Sequence, residues 1–293
     1  MTITQLALSA VLAIMVFSVA LELRIKDFRR VAAAPRSVVV GQIPQFILLP
    51  IATWLATLAL DLPPAIEVAM ILVACCPGGS LSNVVTHFAR GNTALSVSIS
   101  AMASILALFF TPFNFSWMIA NNPATASWLK SLNVDPSTIW LSLFILLAAP
   151  LALGLFIAHH FPTLAARIQK PLANFSLFAL FAFIALGLVK ERALLNAAIL
   201  LPLALVVGHN ALGLSLGWGF ATLMRVPEAD RRAITIEGGM QNSGLALGII
   251  ALQFDANIQM VIIASLWGIW HIVSGTSLAS VWRKKVIFSG DKS

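Results

Sequence analysis

The chain has 293 residues, 59% of them apolar and 10% charged, with a mean hydropathy of +0.94. A water-soluble domain of this length carries about 25% charged residues, so lipid must solvate much of this surface and a soluble enzyme or binding domain is excluded. The net charge of +7 does not indicate nucleic acid, because the basic residues fall in short loops between apolar blocks and form no continuous face.

The apolar blocks are about 20 residues long, as bilayer-spanning helices are. In chain order they predict nine spans, at 3–22, 38–59, 65–87, 93–113, 136–158, 172–189, 194–217, 231–254 and 257–282. The first block has no Lys or Arg before Arg24. A secretory leader carries its charge ahead of its apolar stretch, so this block is expected to be a retained helix. Cys75 and Cys76 are adjacent within the third block and read as reduced packing residues.

Nine spans put the termini on opposite sides. One set of loops and tail holds Arg24, Lys26, Arg29, Arg30, Arg36, Arg90, Arg167, Lys170, Arg225, Arg231, Arg232, Arg283, Lys284, Lys285 and Lys292, and the other only Lys130, Lys190 and Arg192. By the positive-inside rule the N-terminus is outside and the tail 284–293 is cytoplasmic. A multi-pass plasma-membrane (bacterial inner-membrane) protein is expected. Trp117, Trp128 and Trp282 fall near span ends, where interfacial aromatics belong, although filling a lipid-facing groove suits any one of them as well.

The third and eighth spans are interrupted. The third contains Cys76-Pro77-Gly78-Gly79-Ser80-Leu81-Ser82-Asn83 and the eighth Glu237-Gly238-Gly239-Met240-Gln241-Asn242-Ser243-Gly244. Pro and Gly loosen a helix, and the freed backbone groups need partners in protein or in a wet cavity. A pair of such segments in corresponding halves points to a transporter's binding site. Small-residue helix packing is the plainer reading, but it has no use for Glu, Gln and Asn. Spans five to nine form a five-helix unit whose fourth member is interrupted. Spans one to four match it if one leading helix is missing, which gives an inverted-topology repeat.

Glu237 lies about two turns inside the eighth span. A charge at that depth costs at least about 2.5 kcal/mol and usually marks an ion path; the alternative is that it snorkels back to Arg231 or Arg232. Sodium is a hard cation that takes oxygen ligands. Ser82, Asn83, Ser96, Ser100, Glu237 and Gln241 could supply them, with Ser96 and Ser100 spaced i, i+4 on one helix face. Membrane serines also commonly bond back to a carbonyl one turn earlier. His209, beside Asn210, and His271 are expected to be hydrogen-bonded packing residues. No H-E-x-x-H zinc motif is present. No Lys or Arg lies deep in any span, so an anion would rely on the N–H groups after Gly79 and Gly239 and on the Asn83 and Asn242 amides.

At these residues the chain resembles the bile acid–sodium symporter family. The stretches that carry the resemblance are Cys75-Cys76-Pro77-Gly78-Gly79 with Ser82-Asn83, Ala89-Arg90-Gly91-Asn92 with Leu95-Ser96, and Glu237 through Ala246. Asp27-Phe28 and Trp270-His271 add weaker support. The resemblance implies an all-α polytopic protein whose two broken helices cross. A core domain would comprise 38–115 and 194–283, and a panel domain 3–22 and 136–190. It places one sodium among Ser82, Asn83, Ser96, Ser100 and Glu237. A second sits near Gln45, Glu237, Gly238, Met240 and Gln241, the Gly and Met through backbone carbonyls. Candidate substrate-binding residues are Gly79, Asn83, Asn242, Ser243 and His271. Position 100 is Ser where relatives usually have Thr, and the tenth, leading helix of some relatives is not expected here.

The function expected is sodium-coupled symport of an organic anion by alternating access. The family's substrates are bile acids, sulfated steroids and smaller carboxylates such as pantoate or pyruvate. Sodium serves as coupling ion, no other cofactor is needed, and the partners are sodium, the anion and the bilayer. A proton-coupled or uncoupled carrier on the same scaffold is the first alternative, and a membrane receptor or structural protein the second.

Overall fold

The computed structural model describes residues 3–23, 31–32, 35–132, 135–190 and 199–290. Outside them lie the basic residues Arg24, Lys26, Arg29, Arg30, Arg192 and Lys292, the Asp27-Phe28 pair, and 194–198 at the start of the expected seventh span.

Among the described residues the chain is all-helical, with no strand. The helices are α1 (Ile3–Glu22), α2 (Pro35–Leu60), α3 (Pro64–Cys75), α4 (Leu81–Phe88), α5 (Thr93–Ala120), α6 (Pro123–Ser131), α7 (Pro136–His160), α8 (Pro162–Lys190), α9 (Leu200–Leu223), α10 (Glu228–Gly239), α11 (Ser243–Gln253) and α12 (Ile258–Gly290). Five are long and apolar enough to cross a bilayer, at Pro35–Leu60, Thr93–Ala120, Ser137–His160, Leu200–Leu223 and Ile258–Arg283.

Local chemistry sets the helix starts. Pro64, Pro123 and Pro136 open their helices, where a missing N–H costs nothing. Asn92, Asn122, Asp135 and Asn242 cap α5, α6, α7 and α11 by accepting backbone N–H groups. Several elements differ from the sequence expectation, among them α8, which starts at Pro162 and not at 172. α5 runs through Pro112 to Ala120, α12 continues to Gly290, and the short α6 was not foreseen. In α2 the segment Pro44–Leu48 is a π-helical turn closed by Leu49 N–H on the Pro44 carbonyl. Pro44 has no N–H to continue the ladder, and the wider turn accommodates the gap. Asn114 donates to the Phe46 carbonyl within this turn at 2.8 Å.

Both predicted breaks are present. α3 and α4 are separated by Cys76–Ser80, and α10 and α11 by Met240–Asn242. The two gaps meet: Gly78 and Gln241 form an antiparallel bridge, and Asn242 N–H donates to the Pro77 carbonyl at 2.8 Å. The two interruptions therefore lie against each other. Carbonyls released by the breaks find donors in neighbouring helices, as an apolar surrounding requires. Thr111 Oγ1 donates to Cys75 O at 2.6 Å, and Asn210 Nδ2 to Gly239 O at 2.7 Å.

α1 packs against α7 and α8, and α9 packs along α10. The large apolar side chains of Phe109, Phe113, Ile145, Phe178 and Leu200 remain exposed, which suits a lipid solvent. Glu67, 1% exposed, is held at one end of the fold by Leu62 N–H at 3.1 Å and Asn122 Nδ2 at 2.9 Å. Asn122 also caps α6 through its Oδ1, accepting from Ala124 N and Thr125 N. Asn122→Ala removes both roles at once. It should cost about 1–3 kcal/mol, measured as a lower Tm of the detergent-solubilised protein.

Candidate ion and substrate site

Glu237 sits in the last turn of α10 and is fully buried. Three serine hydroxyls from two other helices converge on it. Ser82 of α4 donates to Oε1 at 2.6 Å and Ser96 of α5 at 2.5 Å, while Ser100 of α5 lies 3.0 Å from Oε1 and 3.1 Å from Oε2. Asn83 adds its Oδ1, 2.8 Å from Ser96 Oγ and 3.4 Å from Ser100 Oγ. Ser96 and Ser100 therefore face Glu237 and Asn83, whereas Ser98 and Ser104 on the same helix bond back to Ala94 O and Ser100 O.

Protons are too few for these oxygens. Each hydroxyl has one hydrogen, yet Ser82 lies within bonding distance of both Gly79 O (2.7 Å) and Glu237, Ser96 of both Asn83 and Glu237, and Ser100 of three acceptor atoms. The surplus is lone pairs, which a cation accepts. Among the described residues no basic side chain fills that role. Arg232 pairs with Glu228, donates to Ala89 O at 2.9 Å and lies over Trp282. Arg231 lies over Trp218 and reaches Thr222 Oγ1. Snorkelling of Glu237 to either arginine is thus not observed.

The other carboxylate oxygen faces a second polar group. A Cβ on Gly78 would lie 2.8 Å from Glu237 Oε2, 3.3 Å from Gln45 Nε2 and 3.5 Å from Met240 O, so these three surround one point of the first break. Gln45, in the π turn, is fully buried with neither amide atom hydrogen-bonded. Gln241 is 2% exposed with Oε1 unpartnered, its Nε2 making only a 3.4 Å contact to Gly238 O. Unpartnered buried amides are costly; that of Gln45 lies beside the Glu237 carboxylate, and that of Gln241 beside the Gly238 carbonyl at the second break. Among the described residues no group of three His, Cys, Asp or Glu could hold a metal.

Beside the cluster, sharing Asn83 and Ser100 with it, lies an open groove lined also by Gly79, Asn242 and, from α1, Val19 and Glu22. It shares Val19, Gly78, Ser104 and Asn242 with a more apolar recess, whose walls include Val16, Leu108, Leu147 and Leu245.

The sodium bile acid symporter family model matches residues 9–198. The chain belongs to that family. It is 32% identical over 275 residues, 94% of this chain and 82% of the relative, to a protein named uncharacterized sodium-dependent transporter YocS from Bacillus subtilis (strain 168). It is 29% identical to the Arabidopsis thaliana protein named probable sodium/metabolite cotransporter BASS1, chloroplastic, covering 93% of this chain and 66% of that one. It is also 29% identical to the human ileal sodium/bile acid cotransporter, covering 84% of this chain and 69% of that one. These relatives are named transporters and not enzymes, and the family with the apolar helices makes this chain an integral membrane transporter.

Within this family member, Gly79, Asn83 and Asn242 line the groove. Ser243 and His271 do not: Ser243 Oγ abuts Gly268, and His271 Nδ1 bonds Trp267 O at 2.9 Å within α12. His209 is a packing residue. It accepts from Trp267 Nε1 at Nδ1 (3.1 Å), so Nε2–H donates to Thr53 Oγ1 (2.8 Å). The N–H groups after Gly239 are largely engaged, Met240 N on Glu237 O, Asn242 N on Pro77 O and Ser243 N on Gln241 O. The donors expected from the second break are thereby reduced. Two residues escaped sequence reasoning. Gly78 leaves the space beside Glu237 Oε2 that a Cβ would fill, whereas Gly79 joins the cluster only through its carbonyl on Ser82, and Asn210 holds the second break. The only sequence signals for these were a Gly-Gly pair and an amide inside an apolar block.

Proposed function

We propose that this chain couples the downhill movement of sodium to the uptake of an organic anion. The observation that carries the reading is the surplus of buried lone pairs around Glu237, with no Lys or Arg among the described residues to balance the carboxylate. Ser82, Asn83, Ser96, Ser100 and Glu237 would hold one sodium. Gln45, Glu237, Gln241 and the Gly238 and Met240 carbonyls would hold a second. The relatives' names, which specify sodium dependence and, in the human protein, bile acid, support the same reading.

Asn83 and Ser100 belong to both the oxygen cluster and the groove wall. An anion in the groove would rest directly on the ion site, so that each partner offsets the other's charge. The adjoining apolar cavity suits an anion with a hydrocarbon body, either a bile acid or sulfated steroid or a small carboxylate such as pantoate. Gly79, Asn83 and Asn242 are the proposed contacts; Ser243 and His271 would act on the substrate only through their neighbours.

Nine crossings follow if α1, α8 and the two broken pairs join the five long helices. The breaks then run in opposite directions, each followed by one long helix, as an inverted repeat requires. The panel would be 3–22 and 136–190, consistent with α1 packing on α7 and α8, and the core 38–115 and 194–283. The N-terminus would face outward and the C-terminus the cytoplasm of a plasma membrane. Sodium would neutralise Glu237 and fix the crossing, and the panel would then rock against the core. Proteoliposome uptake of a labelled bile acid, a sulfated steroid and pantoate tests the reading. An inward sodium gradient should drive accumulation of at least one, with choline ineffective. Accumulation that follows a proton gradient instead would favour proton coupling, and uptake independent of both ions would leave an uncoupled carrier.

A further inference from the structure

The second break is a Gly-Gly pair, and glycine imposes no preferred peptide orientation of its own. Something outside α10 must therefore decide where its last carbonyls point. The helix end releases its final carbonyls from intrahelical bonding. Glu237 O accepts from Met240 N at 3.4 Å, Gly238 O makes only the 3.4 Å contact to Gln241, and Gly239 O accepts from Asn210 Nδ2 at 2.7 Å. Asn210, on α9, is 1% exposed. By fixing Gly239 O it fixes the plane of the Gly239–Met240 peptide, the starting frame from which the Met240 dihedrals carry the chain to the next carbonyl, Met240 O, the one beside Glu237 Oε2 and Gln45 at Gly78.

The same face of α9 backs the arrangement. A Cβ on Gly213 would lie 2.8 Å from Gly238 O, and one on Gly217 would lie 2.9 Å from Thr235 Cα. α10 can approach this closely only because positions 213 and 217 are glycine. His209, one residue before Asn210, ties α9 to Thr53 on α2 and Trp267 on α12, so the anchor is itself held.

We propose that Asn210, backed by Gly213, is a positioning residue that sets the affinity and selectivity of the carbonyl half of the cation site. The proposal rests on the sodium reading above. The orientation of carbonyl oxygens decides how well a small cavity fits one alkali cation over another, so the expected effect falls on ion preference as well as on stability.

The test measures thermal stabilisation of the purified full-length protein by sodium chloride and by lithium chloride, each against choline chloride. Asn210→Leu keeps the branched outline of the side chain, at somewhat larger volume, and deletes the donor. Its half-saturating sodium concentration should rise by about tenfold or more, and its sodium-to-lithium preference should change. Gly213→Ala, which displaces Gly238 O without removing any donor, should shift the same ratio. Asn210→Ser, which retains a donor, should lie nearer wild type. Lowered stability in choline with an unchanged half-saturation and an unchanged ion ratio would overturn the proposal and leave Asn210 a purely structural bond. If Asn210→Leu does not fold, Gly213→Ala decides alone, and failure of both to fold would count against it by showing that the face serves packing only. Absence of any sodium response in the wild-type protein would instead overturn the sodium reading itself.

Discussion

Glu237→Gln should abolish sodium-dependent anion uptake and sodium-dependent stabilisation together, while sodium-free stability stays the same or rises. The amide oxygen can still accept from Ser82, Ser96 and Ser100, so the hydrogen bonds that the carboxylate makes without sodium are mostly retained. What is lost is a fully buried negative charge with no cationic partner among the described residues, whose removal relieves a desolvation cost. For a site at about 100 times its Kd, bound sodium adds about 2.7 kcal/mol, or a Tm rise of roughly 5–10 °C for a chain of this size. Differential scanning fluorimetry in sodium and in choline reads both effects. A variant that kept the wild-type sodium shift would show that Glu237 does not hold the ion.

Substitutions at adjacent glycines should separate ion binding from anion binding. A Cβ at Gly78 would press on Glu237 Oε2 at 2.8 Å and on the Gln45 amide, so Gly78→Ala should remove the sodium-induced Tm shift and uptake together. A Cβ at Gly79 meets nothing within 4 Å, and Gly79 lines the open groove. Gly79→Val should therefore fold normally and keep the sodium shift while lowering anion uptake by at least about tenfold, since branched bulk now occupies the space for the anion. Fluorimetry and proteoliposome uptake on the same preparations give the two readouts. Parallel loss of both in Gly79→Val would mean that the groove wall only supports the ion site.

The parts of this arrangement that were legible in the sequence are those that strain a local rule. Pro77 and the Gly pairs violate helix propensity within apolar blocks, and Glu237 violates the exclusion of charge from a span. Both breaks and the carboxylate therefore stood out before any tertiary contact was known. The i, i+4 spacing of Ser96 and Ser100 placed them on one face, but nothing local distinguished them from Ser98 and Ser104, which bond back to their own helix. That distinction arises from what lies across from each hydroxyl. The role of Gly78 over Gly79 depends on the approach of Gln45 from α2, and the π turn that presents Gln45 depends on Pro44 together with the packing of Asn114. The contact of Asn210 with Gly239 joins residues 29 apart in sequence, and α6 is too short and too weakly apolar to announce itself by periodicity. The expectation that N–H donors after Gly239 would be open to an anion did not anticipate that the two breaks bond to each other through Pro77 and Asn242.

Equilibrium binding of radioactive sodium to the purified protein tests most directly whether the junction of the two breaks is a sodium site. Saturable binding by the wild type is expected, abolished by Glu237→Gln and by Gly78→Ala and retained by Gly79→Val. No saturable binding by the wild type, or equal binding by Glu237→Gln, would contradict it.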